Sequence, residues 1–140
     1  MSARFFLDTN IFVYSFDRTA PAKCRHAGAL IREAVETQRG VVSYQVVQEF
    51  FNVALRQFVR PMSLFEAGQY LGTIFRPIIA VHSSTSLFLS AMELFHSDHF
   101  SWYDALIVAA ASASNCEILY SEDLQHGRRI RDLKIVNPFL

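Results

Sequence analysis

Apolar residues in this chain fall into two kinds of stretch. Short runs such as Phe5-Phe6-Leu7 and Val41-Val42 alternate with longer segments whose apolar positions recur three and four residues apart. The first pattern marks buried strands and the second amphipathic helices. Residues 4–7 read as an opening strand that ends at Asp8, and residues 9–14 as a short helical turn. Residues 20–37 carry Ala27, Leu30, Ile31, Ala34 and Val35 on one stripe, with Arg39-Gly40 as the break. A second strand follows at 41–43. Residues 44–59 are helical, with Val46, Val47, Phe50, Val53, Ala54 and Phe58 in register, and Arg60-Pro61 stops them. Ser63 and Glu66 have the spacing of a capping box and open a helix to about residue 75. Pro77 introduces a third strand at 78–81. Residues 84–96 and 102–114 are helical, the latter being the most apolar of all. Residues 117–120 form a fourth strand, and 133–136 a fifth, short one at an edge.

Strands therefore alternate with helices almost throughout. That order predicts a three-layer α/β/α domain over residues 1–140, with a central, mostly parallel sheet of four to five short strands. Sites in such folds lie beyond the carboxyl ends of the strands.

Composition agrees with a folded domain. Hydrophobic residues make up 51% of the 140 residues and charged ones 19%, which supplies enough apolar surface to offset the entropy of ordering. Thirteen Phe residues predict a bulky core. No run approaches the roughly 18 apolar residues of a membrane span, and the N-terminus lacks the pattern of a signal peptide, so a soluble, cytoplasmic chain is expected. Thirteen basic side chains balance thirteen acidic ones, which excludes a basic arm or an acidic tail but not a local nucleic-acid patch. Eleven of the basic residues are Arg, a bias that suits phosphate contacts and that genome composition also produces. Cys24 and Cys116 show neither a disulfide framework nor a metal knuckle, and are expected to be structural thiols.

Four acids change the picture. Asp8 follows the first strand and Asp123 the fourth, so both belong at the carboxyl edge of the sheet. Asp104 sits in the first turn of the most apolar helix, on the stripe shared with Ile107, Val108 and Ala111. Glu49 lies among Val46 and Val53. Each has a structural explanation: Asp8 as a helix cap, Asp104 against a helix dipole, Asp123 in a turn, Glu49 paired with Arg56 or another Arg. Together, four acids at sheet-edge or inward helix positions can converge on one cleft. Two unit charges about 5 Å apart repel by roughly 3 kcal/mol at an effective dielectric near 20, so four such groups need a cation or take up protons. All-oxygen donors favour Mg²⁺, with Mn²⁺ as the alternative, over Zn²⁺. An acidic pocket that meets a polyanion through a metal is the chemistry of phosphodiester hydrolysis.

Phe6-Leu7-Asp8-Thr9-Asn10 resembles the opening motif of PIN domains, particularly the VapC-like toxins of prokaryotic toxin–antitoxin pairs. The other marks occur in order: Glu49 in Val46-Val47-Gln48-Glu49-Phe50, Asp104 in Trp102-Tyr103-Asp104-Ala105-Leu106-Ile107, and Asp123 in Leu119-Tyr120-Ser121-Glu122-Asp123-Leu124. The resemblance spans nearly the whole chain. It implies a metal-dependent endoribonuclease in which Asp8, Asp104, Asp123 and Glu49 hold the metal. Ser121 stands where Thr is commoner; its hydroxyl is expected to orient a carboxylate or a water, and Asn10 to do the same for Asp8. Glu122 is expected to point elsewhere if strand alternation continues past residue 120.

Arg128, Arg129 and Arg131 after Asp123, and Arg56 with Arg60 after Glu49, are candidate RNA phosphate contacts, with a solvated charged surface as the equal alternative. His126 is read as a surface or phosphate-contacting residue. Trp102 and Tyr103 flank Asp104 and can stack an unpaired base, although core packing is expected for at least one of them. Phe12, Tyr14, Phe16, Phe51, Leu55, Phe58, Leu64, Phe65, Tyr70 and Leu71 exceed what a small domain is expected to bury, and some should form an interface. The resemblance implies a homodimer and a small antitoxin that blocks the acidic cleft. Two rivals stand beside the toxin reading: a PIN-type nuclease that processes RNA or acts on DNA, and a non-catalytic binding module of similar fold.

Overall fold

A computed structural model of the chain describes residues 3–140. The first strand, β1 (Phe5–Leu7), is buried on both faces. It pairs in parallel with β2 (Gly40–Ser43) on one side and with β4 (Ile118–Tyr120) on the other. Beyond β2 lies β3 (Ile79–Val81), also parallel. Beyond β4 lies β6 (Leu133–Val136), and then β5 (Arg129–Ile130), which is antiparallel to β6. The order is β3-β2-β1-β4-β6-β5. The chain moves outward from β1 through β2 to β3, then returns to β4 on the other side of β1. Right-handed crossovers therefore place α1 (Thr9–Tyr14), α2 (Pro21–Thr37) and α3 (Tyr44–Ala54) on one face, and α5 (Thr85–Asp98) and α6 (Trp102–Ala113) on the other. The reversal between β1 and β4 opens a crevice at their carboxyl ends.

The sheet has six strands rather than four to five, and residues 133–136 are not an edge. The two-residue β5 covers β6, turning back through Arg131, whose φ is 55°. Two residues are too few to display alternation, so this strand leaves no mark in the hydrophobic pattern.

Other departures have local causes. Arg39-Gly40 does not cap α2; Gln38 does, in the left-handed region at φ 63°. Gly40 is instead the first residue of β2, where a Cβ would stand 2.3 Å from the Ala34 Cβ and 2.6 Å from the Phe5 ring. Its lack of a side chain lets α2 seat on the sheet. α3 stops at Ala54, not residue 59. The backbone N–H groups of Gln57 and Phe58 both donate to the Val53 carbonyl, and the turn swings Phe58 to within 5.3 Å of the Phe16 ring. The Ser63–Glu66 capping box is present and opens α4 (Leu64–Tyr70), which runs on into a π turn, Leu71–Phe75. The wider turn brings Phe75 fully into the core.

One connected core includes Phe6, Leu7, Leu119 and Ile135 from the sheet and Ala105 to Ala111 from α6. Beside it, Phe12, Phe50, Phe75 and Tyr70 form an aromatic cluster in which Tyr70 stacks on Phe50 at 5.0 Å. Phe12, expected among the surplus apolar residues, is completely buried there. Leu64 and Phe65 on α4, and Leu89, Met92 and Phe95 on α5, stay exposed. Cys24 and Cys116 are free thiols. Among the described residues no helix is long and apolar enough to cross a membrane.

Candidate active site

The crevice at the ends of β1 and β4 holds the acids. Asp8 leaves β1 as the N-cap of α1. Its Oδ1 accepts from the Thr9 backbone N–H at 2.7 Å, and its Oδ2 accepts from the Ser121 hydroxyl, also at 2.7 Å. Ser121 follows β4 and is fully buried; its oxygen in turn accepts from the Asp123 backbone N–H at 3.2 Å. Adjacent strand ends thus lock one carboxylate at both oxygens. Thr9 donates its hydroxyl to Glu49 Oε1 at 2.8 Å, tying α1 to α3. Asn10 donates to Asp123 Oδ2 at 3.0 Å and accepts from the Glu122 backbone N–H at 3.4 Å. Asn10 therefore positions the residue 123 loop and not Asp8. Asp104 lies in the first turn of α6, whose N-cap Ser101 accepts from the Asp104 N–H at 3.3 Å.

Asp8, Glu49, Asp104 and Asp123 line one cleft of about 470 Å³. Burial pushes the Asp8 carboxyl up to about 6 from its ordinary value of 3.8, against the hydrogen bonds from Ser121 and Thr9, and the charges of Glu49 and Asp123 add to the rise. Among the described residues the ion pairs are Lys23–Glu122, Arg128–Asp98 and Arg131–Glu93, and none of the four acids takes part. Glu49 is held by Thr9 rather than by Arg56.

Among the described residues, no three Asp, Glu, His or Cys side chains are gathered as a ready-made metal cage. The four acids face a shared space and are held apart by neutral tethers from Thr9 and Asn10. Such a space still fits Mg²⁺, which keeps several waters and is bound through one or two carboxylates. The donors are all oxygen, and the buried Asp8 carries a charge with no basic side chain against it.

Glu122 also lines the cleft, so strand alternation does not carry it away. It is already neutralised. Burial works to raise its carboxyl, but hydrogen bonds from Lys23 and Tyr14, each 2.5 Å long, hold it below the usual range. Lys23 also stands 4.7 Å over the Tyr14 ring.

The arginines lie elsewhere. Arg128 donates to the Asp98 carbonyl at 2.6 Å and stands 4.2 Å over the Phe100 ring, clamping the end of α5. Arg129 and Arg131 line a different hollow with Glu117 and Ile118, at the opposite end of the strands. The β5–β6 hairpin carries them there, which sequence proximity to Asp123 conceals. Arg56 is exposed in the turn after α3, outside the cleft lining. His126 accepts from the Asn137 N–H at 2.9 Å. Trp102 packs against Phe88, whereas Tyr103 is 67% exposed at the cleft.

Gln45 and Asn52 are cleft residues that the sequence reading passed over. They stand four before and three after Glu49, so helical periodicity alone places them on its face. Thr9 is a third, and nothing in the sequence ties it to a residue forty positions away.

Solved structures share the fold, three of them as follows. A toxin–antitoxin complex from Klebsiella pneumoniae superposes with a TM-score of 0.66 at 20% identity, over 98% of both chains. VapC20 of Mycobacterium tuberculosis, described as a sarcin–ricin loop cleaving toxin, gives 0.60 at 20% identity, over 85% of this chain and 89% of that one. VapBC2 of Rickettsia felis, bound to promoter DNA, gives 0.61 at 17% identity, over 94% and 96%. No curated protein matches the sequence significantly. The PIN domain family model matches residues 5–131, nearly the whole described fold, and the chain belongs to the PIN domain family.

Proposed function

We propose that this chain is a divalent-metal-dependent endoribonuclease acting in the cytoplasm as the toxin of a toxin–antitoxin pair. One observation carries the reading: Asp8, Glu49, Asp104 and Asp123, drawn from four separate elements, line one cleft and none is ion-paired among the described residues. A structural role would pair such charges; a site for a cation and a polyanion leaves them free. Family membership and the toxin structures of the same fold support it.

The ligands would be Asp8, Asp104, Asp123 and Glu49. A bound Mg²⁺, or Mn²⁺ in its place, supplies the charge that neutralises phosphate oxygens, acidifies the attacking water and eases departure of the leaving oxygen. The protein's own part is orientation. Ser121 and Thr9 fix Asp8, Thr9 fixes Glu49, and Asn10 fixes Asp123, so the carboxylates meet the substrate without reorganising. Lys23 neutralises Glu122 and Tyr14 hydrogen-bonds it, which lowers the repulsion an incoming phosphate meets.

A small antitoxin and a second copy of this chain are the proposed partners. The exposed apolar residues on α4 and α5 support both, since isolated domains seldom leave such groups to water.

Mapping cellular RNA ends after brief expression of wild type and of Asp8→Ala tests the activity. Discrete new ends bearing a 5′-phosphate are expected with wild type and not with the variant. Matching end profiles would remove the nuclease reading, and new ends without growth arrest would remove the toxin reading alone.

A further inference from the structure

The acidic cleft has no basic residue in its lining, although the polymer proposed to enter it carries a negative charge on every phosphate. A divalent cation answers the phosphate under attack; the phosphates beside it still meet carboxylates. Among the described residues, a single basic side chain hydrogen-bonds to that lining. Lys23 Nζ donates to Glu122 Oε2 at 2.5 Å and to the Tyr14 hydroxyl at 3.4 Å, and both acceptors belong to the cleft wall. Lys23 therefore stands at the rim of the cleft.

Its setting exceeds what neutralising Glu122 requires. An ammonium has three N–H donors. Glu122 and Tyr14 take two, and the third has no partner among the described residues, on a side chain that is 38% exposed. The stem is also held in place. Nζ lies 4.7 Å from the centre of the Tyr14 ring and 5.6 Å from that of Phe139, and those two rings pack edge to face at 5.1 Å. The rotamer freedom that a loose lysine gives up on binding is thus already lost in the fold. Finally, Lys23 is the third residue of α2, in a first turn without acids and behind an N-cap, Ala20, whose side chain makes no hydrogen bond. The helix dipole favours an acid there and opposes a cation, so helix stability does not explain this lysine. The ammonium and the helix end add their positive potentials, and one carboxylate offsets only part of the sum. Asp17, the other acid that feels this charge, already accepts from the Thr19 backbone and hydroxyl at 3.0 and 2.6 Å.

We propose that Lys23 is a substrate-binding residue whose spare N–H contacts the RNA phosphate next to the scissile one. The assignment rests on the ribonuclease reading and deepens it. Such a contact reads no sequence; it fixes the register of the strand, so that a phosphate held at the rim leaves its neighbour to the carboxylates. A purely structural pair predicts the opposite behaviour: with Glu122 made neutral, Lys23 would have no further role.

A labelled, unstructured RNA octamer is titrated into the full-length chain by fluorescence anisotropy, with Ca²⁺ in place of Mg²⁺, across roughly 50 to 200 mM salt. The RNA is checked for integrity after each titration. The chains compared are wild type, Lys23→Met, Lys23→Arg, Glu122→Gln and the Glu122→Gln, Lys23→Met double variant. Methionine keeps an apolar stem on the two rings and removes the charge. Lys23→Met should lower the slope of log affinity against log salt by about 0.7, the share of one phosphate contact on a single strand, and weaken binding about fivefold near 0.1 M salt. Lys23→Arg should keep the wild-type slope. The double variant should lose at least as much slope relative to Glu122→Gln. That second comparison decides the matter even if Lys23→Met alone unfolds, because the double variant leaves no charge unpaired. An unchanged slope in Lys23→Met, or equal slopes for Glu122→Gln and the double variant, overturns the proposal. A slope that depends on Lys23 in a chain that cuts no RNA keeps the phosphate contact and removes the nuclease reading; cleavage by a chain whose slope ignores Lys23 does the reverse.

Discussion

The two ends of the sheet carry opposite concavities. At the carboxyl edge a cleft of about 470 Å³ gathers acids that lack cationic partners; at the amino edge a larger hollow, about 760 Å³, gathers Arg129, Arg131 and Lys134 with Glu117 and Asp132. The larger one is the quieter one. Arg131 faces Glu93 at 3.5 Å and the hydroxyls of Ser90 and Ser112, and acids stand among its basic neighbours. In the acidic cleft only Glu122 has been neutralised, by Lys23. Uncompensated charge, not cavity size, separates the two concavities, and buried charge without a partner is a feature that clusters at functional sites.

Substitutions at the two ends should separate them in a graded way. The largest effect belongs to Asp104→Asn, which should lower RNA cleavage by about a thousandfold, since a metal's share of transition-state stabilisation is several kcal/mol. Arg129→Ala should stay within a few-fold of wild type. An equal loss in both, read as initial rates on one RNA, would erase the distinction.

Next comes Asp8 without metal. Its folded value of about 6 lies above the ordinary 3.8, so the carboxyl is neutral in folded and unfolded chains at low pH and is charged at a penalty in the fold at high pH. Stability attributable to this group falls as pH rises from about 4 to about 6, by roughly 3 kcal/mol, and stays low above that. In chelator, denaturant unfolding should show wild type losing ground to Asp8→Asn between pH 4 and pH 7, and added Mg²⁺ should narrow the gap. Parallel pH profiles would mean Asp8 is not destabilised by its surroundings.

Ser121→Ala removes the hydroxyl that holds Asp8, and should cost about 10- to 100-fold in cleavage together with a higher Mg²⁺ requirement. A loss that saturating Mg²⁺ leaves unchanged would assign Ser121 to folding instead. The smallest effect is expected from Arg131→Ala. Its partner Glu93 is mostly exposed, so thermal unfolding should report a change below about 1 kcal/mol.

Legibility followed the range of the interactions. The helices and five of the six strands could be read because burial of one face imposes a local period, as in α6 from Ala105 to Ala111. Asp8 and Asp123 could be placed at the sheet edge because each directly follows a strand or its first loop residues. The arginines misled for the converse reason. Arg128, Arg129 and Arg131 are close to Asp123 in sequence, but a two-residue strand turns the chain back along the sheet and takes Arg129 and Arg131 to its far end.

The amino-acid order by itself determined the alternation of strands and helices, the capping box at Ser63, and the placing of acids on four different elements, since each depends on neighbours a few positions away. Tertiary structure alone decided which acids went unpaired, that Thr9 would hold Glu49 and Asn10 would hold Asp123, and that Phe12 would vanish into an aromatic cluster. Those outcomes turn on contacts between residues tens of positions apart, and the electrostatics of a buried group are set by what packs around it.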